Sequence, residues 1–270
     1  MKKTSILMGV LLLIGCGQES KDNSTSQQDI NNTKVKEELF SEKGKEFLEF
    51  AIKDEFETLS DGGDVQITEY YPLYTAEKIT SDYDKNEIRA NNLYKDKQFF
   101  ITGAIGGIEA GIDDKPVVNL KTNANYGFNS PLLKFNKIDQ GKVAELNKGD
   151  KVTFLCTGNS EIAGSPILED CIFLKTFEKK ILDDALKFED KDLSGKNSQY
   201  KQAVFTYAVS TLGLSKVSND FEKCKVVDIT CIDEISKTVK KEDVQKTTDE
   251  LKAQFPKAIE SKEKLKHSEK

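Results

Sequence analysis

Three scarcities narrow this chain before any motif is considered. It has one histidine in 270 residues, His267 in "KLKHSEK", three positions from the end. A residue so placed reads as part of a frayed tail, so serine-histidine and cysteine-histidine catalysis and histidine-based zinc sites are not expected. It has one arginine, Arg89, and arginine is the side chain that grips phosphate bidentately and reads guanine edges. Nucleic-acid recognition therefore starts from a weak position. Finally, the apolar run Ile6 to Ile14 is too short to span a bilayer, which takes roughly 20 apolar residues, and no later stretch is long enough either. No catalytic apparatus is visible in what remains, and no cofactor or metal is expected.

What is present begins with the leader "MKKTSILMGVLLLIGCGQES". Two lysines, Lys2 and Lys3, precede the apolar run, which is the layout of a secretory signal peptide. The run ends in Leu13-Ile14-Gly15-Cys16. That ending resembles the lipobox of bacterial lipoproteins, and the resemblance implies cleavage after residue 15 and lipidation of Cys16. Two or three acyl chains on Cys16 would give firm attachment, since each buried methylene contributes about 0.8 kcal/mol. Gly17 stands where Gram-negative lipoproteins retained at the inner membrane carry aspartate, so the resemblance favours the outer membrane, facing the periplasm. A cell-surface or Gram-positive setting stays open. Removing residues 1–15 leaves 38 basic against 46 acidic residues, a net charge of −8, which gives no general attraction for polyanions.

Besides Cys16 there are Cys156, Cys171, Cys224 and Cys231. In a cytosolic protein such residues would suggest metal binding or redox chemistry, whereas outside the cytoplasm they more often form structural disulfides. Four cysteines allow three pairings, and proximity favours Cys156 with Cys171 and Cys224 with Cys231.

Along the chain, residues 17–33 are polar with one aliphatic residue, Ile30, and read as a tether. Val35, Leu39, Phe40, Phe47, Leu48, Ala51, Ile52, Phe56 and Leu59 recur at helical spacing and predict a helix ending near "DGGD". "VQITEYYPLY" reads as extended, broken by Pro72. A second helix is predicted over 76–92, with Ile79, Tyr83, Ile88 and Leu93 on its buried side. Five β segments follow: 97–110, 115–122, 131–136, 151–157 and 165–174. A short helix around Val143, Ala144 and Leu146 separates the third from the fourth. That order is the order of an OB-fold barrel. The glycines at 103, 106, 107 and 111 fall where a long first strand must bend to serve both sheets. After Lys175 the chain turns helical, with Gly213 as a candidate cap and Pro256 expected to kink or end the last helix.

The segments "NEIRANNLYKDKQFFITGAIGGI", "KPVVNLKT", "KVAELNKGDKVTFLCTG" and "SPILEDCIFL" resemble the tRNA_anti-like family of OB-fold proteins, many of them lipoproteins or membrane-anchored. The likeness runs from about Asn86 to Leu174. It implies an OB domain, and the family's name records a similarity of fold, not evidence of tRNA binding. The expected architecture is α+β: a five-stranded OB-fold β-barrel over 83–176, a helical flank over 34–82 before it and a helical region over 177–270 after it.

Several motifs fail on inspection. "DYDKNE" (Asp82 to Glu87) begins like a calcium loop but has Glu87 where glycine is needed and Leu93 where glutamate is needed. "SGKNS" lacks the first glycine of a P-loop and a strand leading into it. "GAIGGIEAG" does not match G-x-G-x-x-G. Asp113-Asp114 in "GIDDKP" reads as a turn rather than a cation site.

The candidate binding-face residues are the aromatics Phe99, Tyr126, Phe128 and Phe135, with core filling as the competing reading for them. From Asp84 to Lys175 there are 12 basic and 12 acidic residues, so the counterion-release term that drives nucleic-acid binding is weak. The expectation is a non-enzymatic, lipid-anchored envelope protein whose barrel binds a protein segment, a glycan or a small ligand. Single-stranded nucleic-acid binding is one alternative. An envelope hydrolase using two carboxylates is the other.

One expectation is geometric. If "LCTGNSEIAGSPILEDCIF" folds as a hairpin about Ala163 and Gly164, Cys156 faces Cys171 and Phe154 faces Phe173. Opposed residues lie roughly 4.5–5.5 Å apart at Cα, within disulfide reach.

Overall fold

The structure is a computed structural model, and it describes residues 39–111, 115–123 and 129–261. The leader, the tether and Cys16 lie outside the described residues. The chain divides into two compact units, one comprising 56–180 and the other 39–55 with 181–261 among the described residues.

The first unit is the barrel unit. It contains β1 (Leu73–Thr75), α2 (Ala76–Lys85), α3 (Glu87–Tyr94), β2 (Gln98–Ala110), β3 (Pro116–Leu120), β4 (Leu132–Phe135), a 3-10 turn (Gln140–Glu145), β5 (Lys151–Ile162) and β6 (Ser165–Phe173). The helix before it, α1 (Glu42–Ser60), and the one after it, α4 (Leu174–Leu186), each run across the division. Strands β2 to β6 close on themselves in the order β2-β3-β4-β6-β5, with β5 returning to β2. All neighbours are antiparallel except β4 and β6. This is the five-stranded OB barrel expected from the sequence, with β1 added in parallel beside β2.

Closure depends on β2 changing partners. Residues 98–104 pair with β5, and from Ile105 onward the strand pairs with β3. The register slips between Ile105 and Gly107, so Gly106 is the extra residue of a bulge. A Cβ there would stand 2.4 Å from the Asn119 side-chain oxygen, so any larger residue would have to push that side chain aside.

The barrel core is filled by Ile101, Ile105, Val118, Leu120, Leu133, Phe135, Phe154, Leu168 and the two cysteines, with Ile79, Tyr83, Tyr94 and Phe99 joining from the helices and β2. Strand β2 is apolar on both faces at its start. Phe99 and Ile101 belong to that core, while Phe100 meets Tyr71 and Phe177 on the other side, ring centroids 6.0 Å away in each case. A run such as "QFFI" is what a strand buried on both faces requires.

The helix predicted over 76–92 is two helices. Asn86 ends α2 and caps α3, its side chain accepting from the Arg89 amide at 2.9 Å. That break resets the helical phase, so Ile79 and Tyr83 are buried as expected, but Ile88 and Leu93 are exposed and Ala90 and Tyr94 face inward instead. The stretch read as extended forms a 3-10 turn (Gln66–Glu69) before β1.

In the second unit, α5 (Ser198–Val217), α6 (Ile229–Thr238) and α7 (Lys241–Gln254) are the main elements besides the parts of α1 and α4. The apolar middle of α5 is buried from Ala203 to Ala208. Phe205 packs near Phe188 and Phe255, and Tyr207 donates to Glu55 at 3.1 Å. Helix α7 ends before Phe255, and Pro256 opens a further helical turn, as its missing N–H allows.

Candidate functional site

The side chains on the outside of the barrel follow from strand alternation. On β3, Val118 and Leu120 are buried while Val117 and Asn119 are half-buried; on β4, Leu133 and Phe135 are buried while Leu132 is half-buried and Lys134 exposed. Leu132 pairs with Ile167 of β6, which puts these two side chains on the same outer face. A solvated strand face is normally polar, yet here the half-buried Val117 and Leu132 and the buried Ile167, 4% exposed, form an aliphatic strip across three strands.

A cleft of about 760 Å³ lies on this strip, within the roughly 300–1,000 Å³ typical of ligand clefts. Val117, Leu132 and Ile167 line its middle, with Lys134 and Glu169. Ile162 lies toward one end, and Gly111, Lys115, Asn136, Lys137, Gln140 and Asp170 toward the other. Lys134 and Glu169 form an ion pair across the strands at 3.2 Å, and both side chains are exposed enough that the pair contributes only about 0–1 kcal/mol to folding.

Two successive residues, Glu169 and Asp170, both line the cleft, which a regular strand would forbid. The reason is a bulge. The hairpin turns at Ala163 and Gly164, whose φ angles of 50° and 85° are those of a two-residue primed turn. From there the register slips once between Gly158 and Glu161 on β5 and slips back between Leu155 and Thr157, opposite Asp170 and Cys171. The two slips compensate. Phe154 therefore faces Phe173 as predicted, with Asp170 (φ 50°) as the extra residue pushed outward. Cys156 and Cys171 are joined with Cα atoms 4.1 Å apart, and Cys224 is joined to Cys231 at 5.7 Å.

The residues expected on a binding face fare differently. Phe99 and Phe135 are 1% and 5% exposed and belong to the core, Phe99 packed on Tyr74 at 5.5 Å and Phe135 on Phe154 at 4.9 Å. Phe99 is thus a core residue rather than a binding-face one, whereas Phe135, with its ring packed inward, also lines the cleft. Tyr126 and Phe128 lie outside the described residues, as do Asp113-Asp114 and His267. The cleft residues themselves carried a sequence signal. In "PVVNL", "LLKF" and "SPILED" both strand parities are apolar, and the surplus parity is the cleft.

A polar network beside the barrel holds the helical hairpin in place. The Tyr94 hydroxyl donates to Asp82 at 2.6 Å, and Lys78 also bonds that carboxylate. Burial alone would raise the Asp82 carboxyl, but the hydrogen bonds from Lys78 and Tyr94 and the charges of Lys78 and Lys85 outweigh it and hold it below its usual value. Burial, then the Asp82 carboxylate, push the Tyr94 hydroxyl far up; burial, then Glu161 and Glu87, push Tyr83 up to about 12. Both hydroxyls thus stay protonated donors near neutral pH. The segment after α3 then crosses β5 at Gly158: the Asp96 amide donates to the Gly158 carbonyl at 2.8 Å, and a Cβ at 158 would stand 2.1 Å from the Tyr94 carbonyl oxygen.

The sequence matches the tRNA_anti-like family over residues 3–172. The chain belongs to this family. The matched region reaches far ahead of the segments that carry the resemblance in the sequence and takes in the leader and Cys16. Comparison with the curated proteins gives no match. Among solved structures, the chain is similar to the crystal structure of a "putative nucleic acid-binding lipoprotein" from Klebsiella pneumoniae subsp. pneumoniae MGH 78578, at 17% identity and a TM-score of 0.33, covering 39% of this chain and 93% of that one. Among the described residues, no helix is long and apolar enough to cross a membrane, and no three acidic, cysteine or histidine side chains are grouped as a metal site.

Proposed function

We propose that this tRNA_anti-like protein is a non-enzymatic binding module of the bacterial cell envelope, tethered by lipid on Cys16, and that its ligand occupies the cleft over β3, β4 and β6. The observation that carries the reading is the aliphatic strip of Val117, Leu132 and Ile167 on an outer strand face, at the base of a ligand-sized cleft. In this fold the face of the second and third barrel strands, with the loops joining strands one to two and four to five, is the usual ligand face, and β3 and β4 are those strands here. The leader supports the location, since charge, apolar run, small residue and Cys16 arrive in order and the family match includes them. The Gly17 that follows Cys16 favours the outer membrane, facing the periplasm.

A photo-cross-linking amino acid placed at Ile162, at the cleft mouth and 63% exposed, is expected to give a discrete adduct in living cells. The same probe at the exposed Glu49 on α1 is the control. Adducts at neither position, or equally at both, would refute the cleft as the site. Replacing Cys16 with serine is expected to release the chain from membranes in fractionation.

Nucleic acid is the weaker ligand class. The described cleft sets Lys115, Lys134 and Lys137 against Glu169 and Asp170, which leaves little counterion release to drive binding. Retention of single-stranded oligonucleotides on filters at low salt, lost on substituting cleft residues, would reverse that ranking.

A further inference from the structure

The chemistry of the cleft selects among ligand classes, an inference that rests on the binding-module reading above. Its apolar part consists of the branched aliphatic side chains Val117, Leu132, Ile162 and Ile167. Phe135 is the one aromatic residue among the described lining residues, and its ring is committed to Phe154 and Phe173 at 4.9 and 5.6 Å. Among the described residues a nucleobase or sugar ring therefore meets no free stacking face there. An acyl chain fits no better. It would strip water from the Lys134–Glu169 pair at the centre of the cleft and return no hydrogen bond.

A peptide backbone supplies what that pair needs: an N–H for Glu169 and a carbonyl for Lys134. The charges at one end fit the same occupant. Lys137 and Asp170 are both exposed, and among the described residues neither has an ion pair or side-chain hydrogen bond, so the cleft presents one unpaired charge of each sign. We propose that the cleft binds a short extended polypeptide segment with aliphatic side chains seated on Val117, Leu132 and Ile167. The segment carries a basic residue toward Asp170 and an acidic residue toward Lys137.

The test is selection of a phage-displayed linear heptapeptide library on the full chain, followed by anisotropy measurements with labelled synthetic copies of the selected peptides. Enrichment of peptides combining valine, isoleucine or leucine with both charges is expected. Their affinity should fall at least tenfold with Ile162→Asp, and Lys137→Glu should select against the acidic residue. Both substitutions are at exposed positions, so loss of fold does not confound them. Parallel arms use oligo-dT, chitohexaose and dihexanoyl phosphatidylethanolamine. If the library yields no cleft-dependent peptide but one of these ligands binds and is lost with the same variants, the peptide proposal falls and the binding cleft stands. If no probe depends on the cleft residues, both fall.

Discussion

The two disulfides hold very different pieces of chain. Cys156–Cys171 ties two strands already joined by a ladder, and both cysteines are almost wholly buried, at 1% and 0%. Cys224–Cys231 closes a short loop that runs into the first turn of α6, and just ahead of that loop three successive residues, Asn219, Asp220 and Phe221, adopt left-handed φ angles of 51°, 56° and 56°. A left-handed non-glycine residue costs about 1–2 kcal/mol, so that segment persists only because other contacts fix it. Phe221 is fully buried with its ring stacked on Phe47 at 5.0 Å, Ser218 accepts from its amide, and Asp220 accepts from the Ser41 and Ser215 hydroxyls. The first bridge reinforces order that strand pairing creates; the second closes a loop with no ladder of its own, next to a left-handed turn that packing and hydrogen bonds hold.

Breaking this contrast gives graded expectations in urea unfolding. Phe221→Ala should have the largest effect, about 3–5 kcal/mol, because it removes the anchor that fixes the left-handed turn as well as buried area. Replacing Cys156 and Cys171 together with alanine should cost about 3 kcal/mol by the chain-entropy model, with the hairpin register intact. A Cys224→Ser, Cys231→Ser variant should lose slightly less, about 2.5 kcal/mol for its shorter loop. Under native conditions with mild reductant, thiol labelling should open Cys224–Cys231 well before Cys156–Cys171, since Cys231 is partly exposed and neither barrel cysteine is. Equal rates would contradict the contrast.

Gly158→Ala tests whether the ladder region is as over-determined as it looks. Its Cβ would collide with backbone, not with a side chain that can move, so a loss of about 2 kcal/mol is expected. Tyr94→Phe should cost about 1.5 kcal/mol by removing a hydrogen bond to a carboxylate. Its pH dependence has a definite sign. The Asp82 carboxyl is depressed in the fold, so its contribution is present above its unfolded value of about 3.9 and lost as pH falls through the folded value. The gap between wild type and Tyr94→Phe should therefore narrow below about pH 4.

Local patterns made most of the barrel legible: five β segments, a short helical turn in the right gap, and cysteines equidistant from Ala163-Gly164. They also misled in instructive places. The apolar spacing of Ile79, Tyr83, Ile88 and Leu93 suits one continuous helix, and only the cap at Asn86 moves Ile88 and Leu93 to the surface. Aromatics looked like ligand platforms because stacking residues and core residues share a composition; the inward parity of Phe99 shows it to be core, and Phe135 fills the core while also lining the cleft. The missed cleft residues are aliphatics, which a sequence marks as apolar without saying which face they occupy.

Sequence alone laid out the succession of β segments and favoured the observed pairing of cysteines, because each depends on composition or on separations along the chain. Tertiary structure alone decided where β2 changes partners, how two opposite register slips cancel within one hairpin, and that Val117, Leu132 and Ile167 from three strands meet on one outer face. Those features depend on which strands lie side by side once the barrel closes, and closure is a property of the whole set of strands rather than of any one.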